Sequence, residues 1–253
     1  VTTNTLPTSA DSYLLGNSTG ALLDSMNGST ALLASANDDT PSATSTNIGF
    51  NFTFEEIVYT NFWVAPDGWL KLGGSSATSS FTNGLGSTTI SNSPLLMPYW
   101  DDLATGNTGN VKYLLTGTSP NRILKVQWFV TIPRNIASNA NATFQIWLYE
   151  TSNKIEYRYG NMGSAAMSAS MGIRGLALNP AKFISLTNSP LSSSTSVAND
   201  AISTQPSIGN MFSFDPPINC TGSPSSQPTS LTVAPLRGSS SKIVGSFTAA
   251  SGS

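Results

Sequence analysis

Two adjacent carboxylates, Asp101 and Asp102, follow Tyr99 and Trp100 in the stretch PLLMPYWDDLATGNTGNVKYLL (residues 94–115). Only 9% of the residues are charged, so such a pair invites three readings: acid–base catalysis, cation binding, or the capping of a strand end. Adjacent residues of a strand point to opposite faces, which places the two poorly for work as one acid–base pair. A glycosidase needs two carboxyl groups facing each other across roughly 5 to 9.5 Å. That would require Asp38, Asp39 or Asp67 to meet Asp101 in space, and nothing in the sequence brings them there. Calcium suits these residues better, since hard cations take Asp, Asn and carbonyl oxygens. Asp38, Asp39, Asp101 and Asp102 are its candidate ligands, although the chain has no D-x-D-x-D-G loop. Strand termination and turn capping by Asp101 and Asp102 is the leading expectation, and no motif demands a cofactor.

The elements that must position these residues read as strands. Phe50, Phe52 and Phe54 alternate with Asn51 and Thr53 inside residues 47–74, so three rings should share one face. Phe62–Val64 then meets Trp69–Leu72 across Ala65-Pro66-Asp67-Gly68, and Asp-Gly between apolar runs is a strong hairpin signal. Further strands are expected at 95–100, 111–116, 122–131, 142–150 and 154–159, with short ones at 171–178 and 182–186. In the 154–159 run, Ile155, Tyr157 and Tyr159 alternate with Glu156 and Arg158, giving one apolar and one charged face. Residues 11–33 read as two short strands, with a helical turn near Ala21–Met26 as an alternative. Residues 35–46 and 75–93 read as loops. Short strands without intervening helices predict an all-β fold, an antiparallel β-sandwich or jelly-roll. The main domain is expected over 1–214. A Pro/Ser-rich linker at 215–227 follows, and then two strand-like runs within 228–253 that cannot bury both faces alone.

Composition excludes several functions. The chain has 253 residues, a net charge of -2 and eleven scattered Lys and Arg, so it offers no polycation to nucleic acid or anionic lipid. No apolar run approaches the roughly 20 residues of a membrane span, so no direct membrane insertion is expected. The N-terminus shows no n-region or h-region, and Val1 is expected to be a processed end or a chain boundary. Histidine is absent, which removes Ser-His-Asp triads, Cys-His pairs and His-ligated zinc. Cys220 is the single cysteine and reads as a free thiol, or as one half of a bridge to another polypeptide. The aromatic residues Trp63, Trp69, Tyr99, Trp100, Trp128 and Trp147 could form a sugar-stacking platform, but in alternating strands large rings are expected in the core. Asn-x-Ser/Thr sequons stand at Asn17, Asn27, Asn51, Asn141 and Asn219.

Four elements carry a family resemblance: Pro98–Asp102, Gly109–Tyr113, Val126–Trp128 and Thr143–Gln145. Their apolar-Pro-aromatic-Trp-x-Asp, Gly-x-Val-x-Tyr, Val-x-Trp and Thr-Phe-Gln patterns resemble the nidogen-like (NIDO) domain of extracellular proteins. The upstream IGFNFTFEEIVYTNFWVAPDGWLKLG is similar to the strand pair that precedes it in secreted surface proteins of Bacteroidetes. QPTSLTVAPLRGSSSKIVGSFTAASGS resembles the A and B strands of a fibronectin type III module, with Phe247 at the usual core Trp.

The resemblance implies a noncatalytic, extracellular structural or adhesive protein, with no catalytic residue to carry over. A bacterial surface adhesin or the subunit of a filament or sheath is expected. Its partners would be copies of itself joined by strand addition, or other surface proteins and glycans. The alternative is a carbohydrate-binding module, with or without calcium.

Overall fold

The computed structural model describes residues 8–217, apart from 77, 80, 86–92, 164–167, 177–181 and 189–190, together with 232–235 and 243–246. By backbone contacts the chain divides into two units, Leu6–Pro217 and one made of Val1–Thr5 with Ile218–Ser253.

Among the described residues, fourteen strands build the larger unit. They are β1 (Leu14–Ser18), β2 (Thr30–Leu33), β3 (Thr46–Phe54), β4 (Ile57–Ala65), β5 (Trp69–Leu72), β6 (Leu95–Trp100) and β7 (Asn110–Thr116), then β8 (Ile123–Val130), β9 (Ala142–Tyr149), β10 (Ile155–Met162), β11 (Ser170–Arg174), β12 (Phe183–Asn188), β13 (Leu191–Ser194) and β14 (Met211–Asp215). They form two seven-stranded sheets, in the orders β1-β14-β10-β9-β8-β7-β2 and β13-β12-β11-β6-β5-β4-β3. Every pairing is antiparallel, and the all-β sandwich expected from the strand pattern is the fold. In the smaller unit, β15 (Thr232–Pro235) pairs antiparallel with β16 (Ile243–Ser246). Among the described residues no helix is long and apolar enough to cross a membrane.

Period-2 alternation accounts for the main core. Phe50, Phe52 and Phe54 are buried while Asn51 is exposed. Facing them from the other sheet are Leu124, Val126 and Trp128 of β8, Phe144 and Ile146 of β9, and Tyr157 and Tyr159 of β10. Trp128 stacks on Phe144 with ring centroids 5.4 Å apart. The second sheet is also covered on its outer side. Trp69, Leu95, Met97 and Trp100 form a smaller cluster there with Leu85 and Phe183. The 75–93 stretch, expected as plain loop, thus supplies Leu85 as a lid, and Leu85 N–H donates to Asp200 Oδ1 at 2.8 Å.

The Pro-aromatic-Trp motif has a structural cause. Across from β11 the register slips, with Met97 opposite Gly172 but Trp100 opposite Ser170, so β6 carries one extra residue. Leu96 and Tyr99 therefore both face the main core while Leu95, Met97 and Trp100 face outward. The bulge leaves backbone groups that tyrosines from the opposite sheet satisfy. Met97 N–H donates to the Tyr157 hydroxyl at 3.0 Å, which donates to Gly172 O at 2.7 Å. The Tyr159 hydroxyl donates to Pro98 O at 2.7 Å. Three buried hydrogen bonds thus fix the two sheets to each other where an apolar contact would leave the bulge unpaired.

Some expectations needed correction. No helical turn forms at 21–26; the segment is irregular and runs beside residues 209 and 145, with Ala21 N–H on Gly209 O and Asp24 N–H on Gln145 Oε1. β13 and β14 were not anticipated, and β10 continues to Met162. Cys220, Asn219 and Phe247 lie outside the described residues.

Candidate cation site

One end of the sandwich gathers four loop regions. Asp38 forms an isolated antiparallel bridge with Ala104, which bridges in turn to Thr131. Around this short ladder, Thr105 N–H donates to Asn37 O at 2.9 Å, Asn37 N–H to Thr105 Oγ1 at 2.8 Å and Asn135 N–H to Thr131 Oγ1 at 2.9 Å. The turn between β4 and β5 joins them. Asp101 N–H donates to Asp67 O at 3.2 Å, and Trp128 Nε1–H donates to Ala65 O at 2.7 Å. The Trp of the Val-x-Trp motif thereby anchors the turn that carries Asp67.

These loops bring Asp38, Asp39 and Asp102 together, with one carboxylate oxygen of each lying within 4.8 Å of the others. Asp67, fully buried at 0% exposure, sits beside them and feels the charges of Asp39 and Asp102. Burial, reinforced by those charges, pushes the Asp67 carboxyl up to about 8, against the pull of the Leu103 N–H that its Oδ1 accepts at 3.3 Å. Asp39 is also raised, by burial and then by Asp38 and Asp102. Asp102 is raised by burial, with Arg134 opposing.

Among the described residues, the cation paired with these aspartates is half-exposed Arg134. It donates through Nε to Asp38 Oδ1 at 2.9 Å and through Nη2 to Asp38 Oδ2. The same Nε lies 2.9 Å from Asp102 Oδ1, yet its one N–H is directed at Asp38, so Asp102 Oδ1 receives attraction without a hydrogen bond. Three buried carboxylate oxygens, Asp39 Oδ1, Asp67 Oδ2 and Asp102 Oδ1, have no hydrogen-bond partner. Asp39 adopts the left-handed region at φ 59°, a conformation that Asp and Asn bear better than other residues with a side chain.

Asp101 stands apart. Its Oδ1 accepts Asp102 N–H and its Oδ2 accepts Ser168 N–H, both at 2.8 Å, so it caps the end of β6 and ties it to the segment before β11. The adjacent pair divides its work: Asp101 is buried, while Asp102 turns toward Asp38 and Asp39. The sequence named Asp38, Asp39, Asp101 and Asp102 as cation candidates, and Asp101 is not grouped with the other three. It considered Asp67 only for catalysis, because Asp-Gly reads first as turn chemistry, and it did not single out Arg134.

The aromatic candidates sit elsewhere. Trp69, Tyr99, Trp100 and Trp128 have no exposed surface and Trp63 is buried, so none of these rings offers a face to a sugar. Trp147 is half-buried on the outer face of the first sheet, between strands that each supply a cation. Arg158 lies 3.5 Å and Lys125 4.3 Å from its ring centroid. Around it, Lys125 pairs with Asp24 at 2.6 Å, and Glu156 takes Lys154 at 2.5 Å, Arg158 at 2.7 Å and the Tyr149 hydroxyl at 2.8 Å. The charged face expected on β10 is therefore half-covered and paired, with Arg158 also donating to Leu22 O at 2.9 Å. Of the sequons, Asn141 has its amide engaged with both Ile132 N–H and Ile132 O at 2.8 Å.

No curated protein and no solved structure matches the chain. A family model described as NIDO related matches residues 12–216, which spans β1 to β14 and includes the loop end with its aspartates. The chain belongs to the NIDO-related family.

Proposed function

We propose that this protein is a noncatalytic structural or adhesive component of a bacterial surface that assembles with copies of itself through β-strand contacts. Membership of the NIDO-related family points to an extracellular domain of this general type. The observation that carries assembly is the smaller unit: β15 and β16 pair with each other, and among the described residues neither has a third strand beside it. A two-stranded sheet is marginal alone in water, and its unpaired edges are templates for another chain. The low charge of the chain, 9% of residues, provides little repulsion between copies. Burial of Trp63, Trp69, Trp100 and Trp128, and the two cations over half-buried Trp147, weigh against glycan recognition by ring stacking.

Negative-stain electron microscopy and light scattering of the full chain, compared with a chain ending at residue 222, test this reading. Filaments or oligomers that disappear on truncation are expected. Monomers in both samples would overturn the assembly reading.

A further inference from the structure

We propose that Asp38, Asp39 and Asp102 bind one calcium ion at the loop end of the sandwich, with buried Asp67 adding negative charge behind them and Arg134 as the counter-charge that the ion displaces or shares. Nothing in this step depends on assembly, because binding is read on the single chain.

Spacing is the first support. Calcium holds oxygen ligands at about 2.3–2.6 Å, so two oxygens on one ion are at most about 5 Å apart. Asp38, Asp39 and Asp102 meet that limit, with ligand atoms within 4.8 Å of one another. Asp67 is the second and independent support. Its side chain is wholly inaccessible, its Oδ2 has no partner among the described residues, its Oδ1 accepts the N–H of Leu103 next to Asp102, and it feels the charges of Asp39 and Asp102. A buried acceptor left unpaired costs about 1–3 kcal/mol, more for a charged group, so a fold that retains three such oxygens at one end has room for a positive ligand in its hydrogen-bond inventory.

Arg134 does not fill that role. Its Nε and Nη2 both go to Asp38, which leaves Asp39 and Asp67 unbonded by it. With its side chain 40% exposed, it can move outward without breaking core packing. The aspartates, in contrast, are fixed in advance: Asp38 by its bridge to Ala104, Asp67 by the turn held under Trp128, and Asp102 by its N–H on Asp101 Oδ1. The donor set of carboxylates, without a thiolate or imidazole, selects a hard cation, and its irregular layout suits calcium better than the strict octahedron of magnesium.

The test uses the full chain stripped with chelator, titrated with calcium chloride and followed by calorimetry and by thermal unfolding. Concentrations run to about 10 mM, beyond the roughly millimolar range of extracellular calcium modules. One site is expected, with a melting temperature that rises as for a ligand bound only by the native state. Magnesium should give a smaller rise because it keeps its water. Asp39→Asn, which suits the left-handed backbone, and Asp102→Asn should each weaken calcium about tenfold or more, while Asp24→Asn, on the outer face of the first sheet, should leave the affinity unchanged. Arg134→Ala is the variant of opposite sign: with the competing cation gone, calcium should bind several-fold more tightly. Three results would overturn the site: no heat or melting shift in the unmodified chain, equal responses to calcium and magnesium that survive Asp39→Asn, or loss of the response in Arg134→Ala while that variant remains folded.

Discussion

Acidic and basic side chains meet on the outer face of the first sheet and at the loop end, and these two places have opposite electrostatics. On the outer face of the first sheet, Glu156 is only 3% exposed but both its oxygens are occupied, by Lys154 on one side and by Arg158 and Tyr149 on the other. Asp24 is likewise complete, with Oδ1 on Met26 N–H at 2.7 Å and Oδ2 on Lys125 at 2.6 Å. Lys125 holds the Asp24 carboxyl low; burial pushes Glu156 up, but its bonds from Lys154, Arg158 and Tyr149 together bring it below the usual range. At the loop end, Asp39, Asp67 and Asp102 all rise, because burial is not met by enough donors. Equal residue types thus stand in two environments: satisfied carboxylates hold strands together, and unsatisfied ones mark the place of the proposed ligand.

The largest effect should come from disturbing the turn that carries Asp67 at the loop end. Gly68 has φ +81°, and a Cβ there would lie 2.0 Å from Tyr99 O, which is backbone and cannot step aside. Gly68→Ala should therefore destabilise by about 3 kcal/mol or more, through strain at positive φ together with overpacking. It should also abolish the calcium response, since the preceding residue, Asp67, accepts the N–H groups of Asp101 and Leu103 on either side of Asp102. Denaturant unfolding in chelator and in calcium measures both; a variant as stable as the unmodified chain would mean that the turn does not hold Asp67 in place.

How far this contrast can be read in advance depends on range. Local alternation reveals the three phenylalanines of β3, the limits of β6 and the Asp67-Gly68 turn, because each depends on neighbours within a few residues. The slip of β6 at Pro98 is hidden, since only pairing with β11 and the tyrosines of β10 explains why Leu96 and Tyr99 face the same way. The aspartate group is partly legible: the sequence offers Asp38, Asp39, Asp101 and Asp102 as candidates, but the meeting of three of them rests on the Asp38–Ala104–Thr131 ladder, which joins segments far apart in the chain. β14 escaped because MFSFD is only five residues long and its pattern is resolved by β1 and β10 on either side.

A smaller effect, read as a slope, follows from the signs of the shifts. Asp67 rises to about 8 in the folded chain, against about 3.9 unfolded. Between those values the native state binds the extra proton, so this group makes stability fall as pH climbs from about 4 to about 8. Glu156 is lowered, so its contribution is present above its unfolded value, about 4.3, and is lost as pH falls through the native one. In chelator, Asp67→Asn should flatten the alkaline decline and leave the acid limb, whereas Glu156→Gln should reduce the acid limb and leave the decline. Urea midpoints across pH 3 to 9, roughly the window these two shifts define, measure both. A curve for Asp67→Asn parallel to that of the unmodified chain would show that Asp67 is already satisfied.

The smallest effect is the sharpest, because the same chemical change is made on both sides of the comparison. Asp24→Asn keeps the oxygen that accepts Met26 N–H but removes the charge 2.6 Å from Lys125. The pair is partly exposed, so the loss should be about 0.5–1 kcal/mol. Asp102→Asn removes a charge that Arg134 attracts, but that Asp38 and Asp101 repel, and its Oδ1 has no hydrogen bond to lose. In chelator that change should be neutral or stabilising by a few tenths of a kcal/mol. With calcium present it should become destabilising relative to the unmodified chain, because the ligand contribution is lost. Asp24→Asn should show the same cost in both buffers. A charge that costs nothing to remove until calcium is added belongs to a binding site; one that costs the same throughout belongs to the fold.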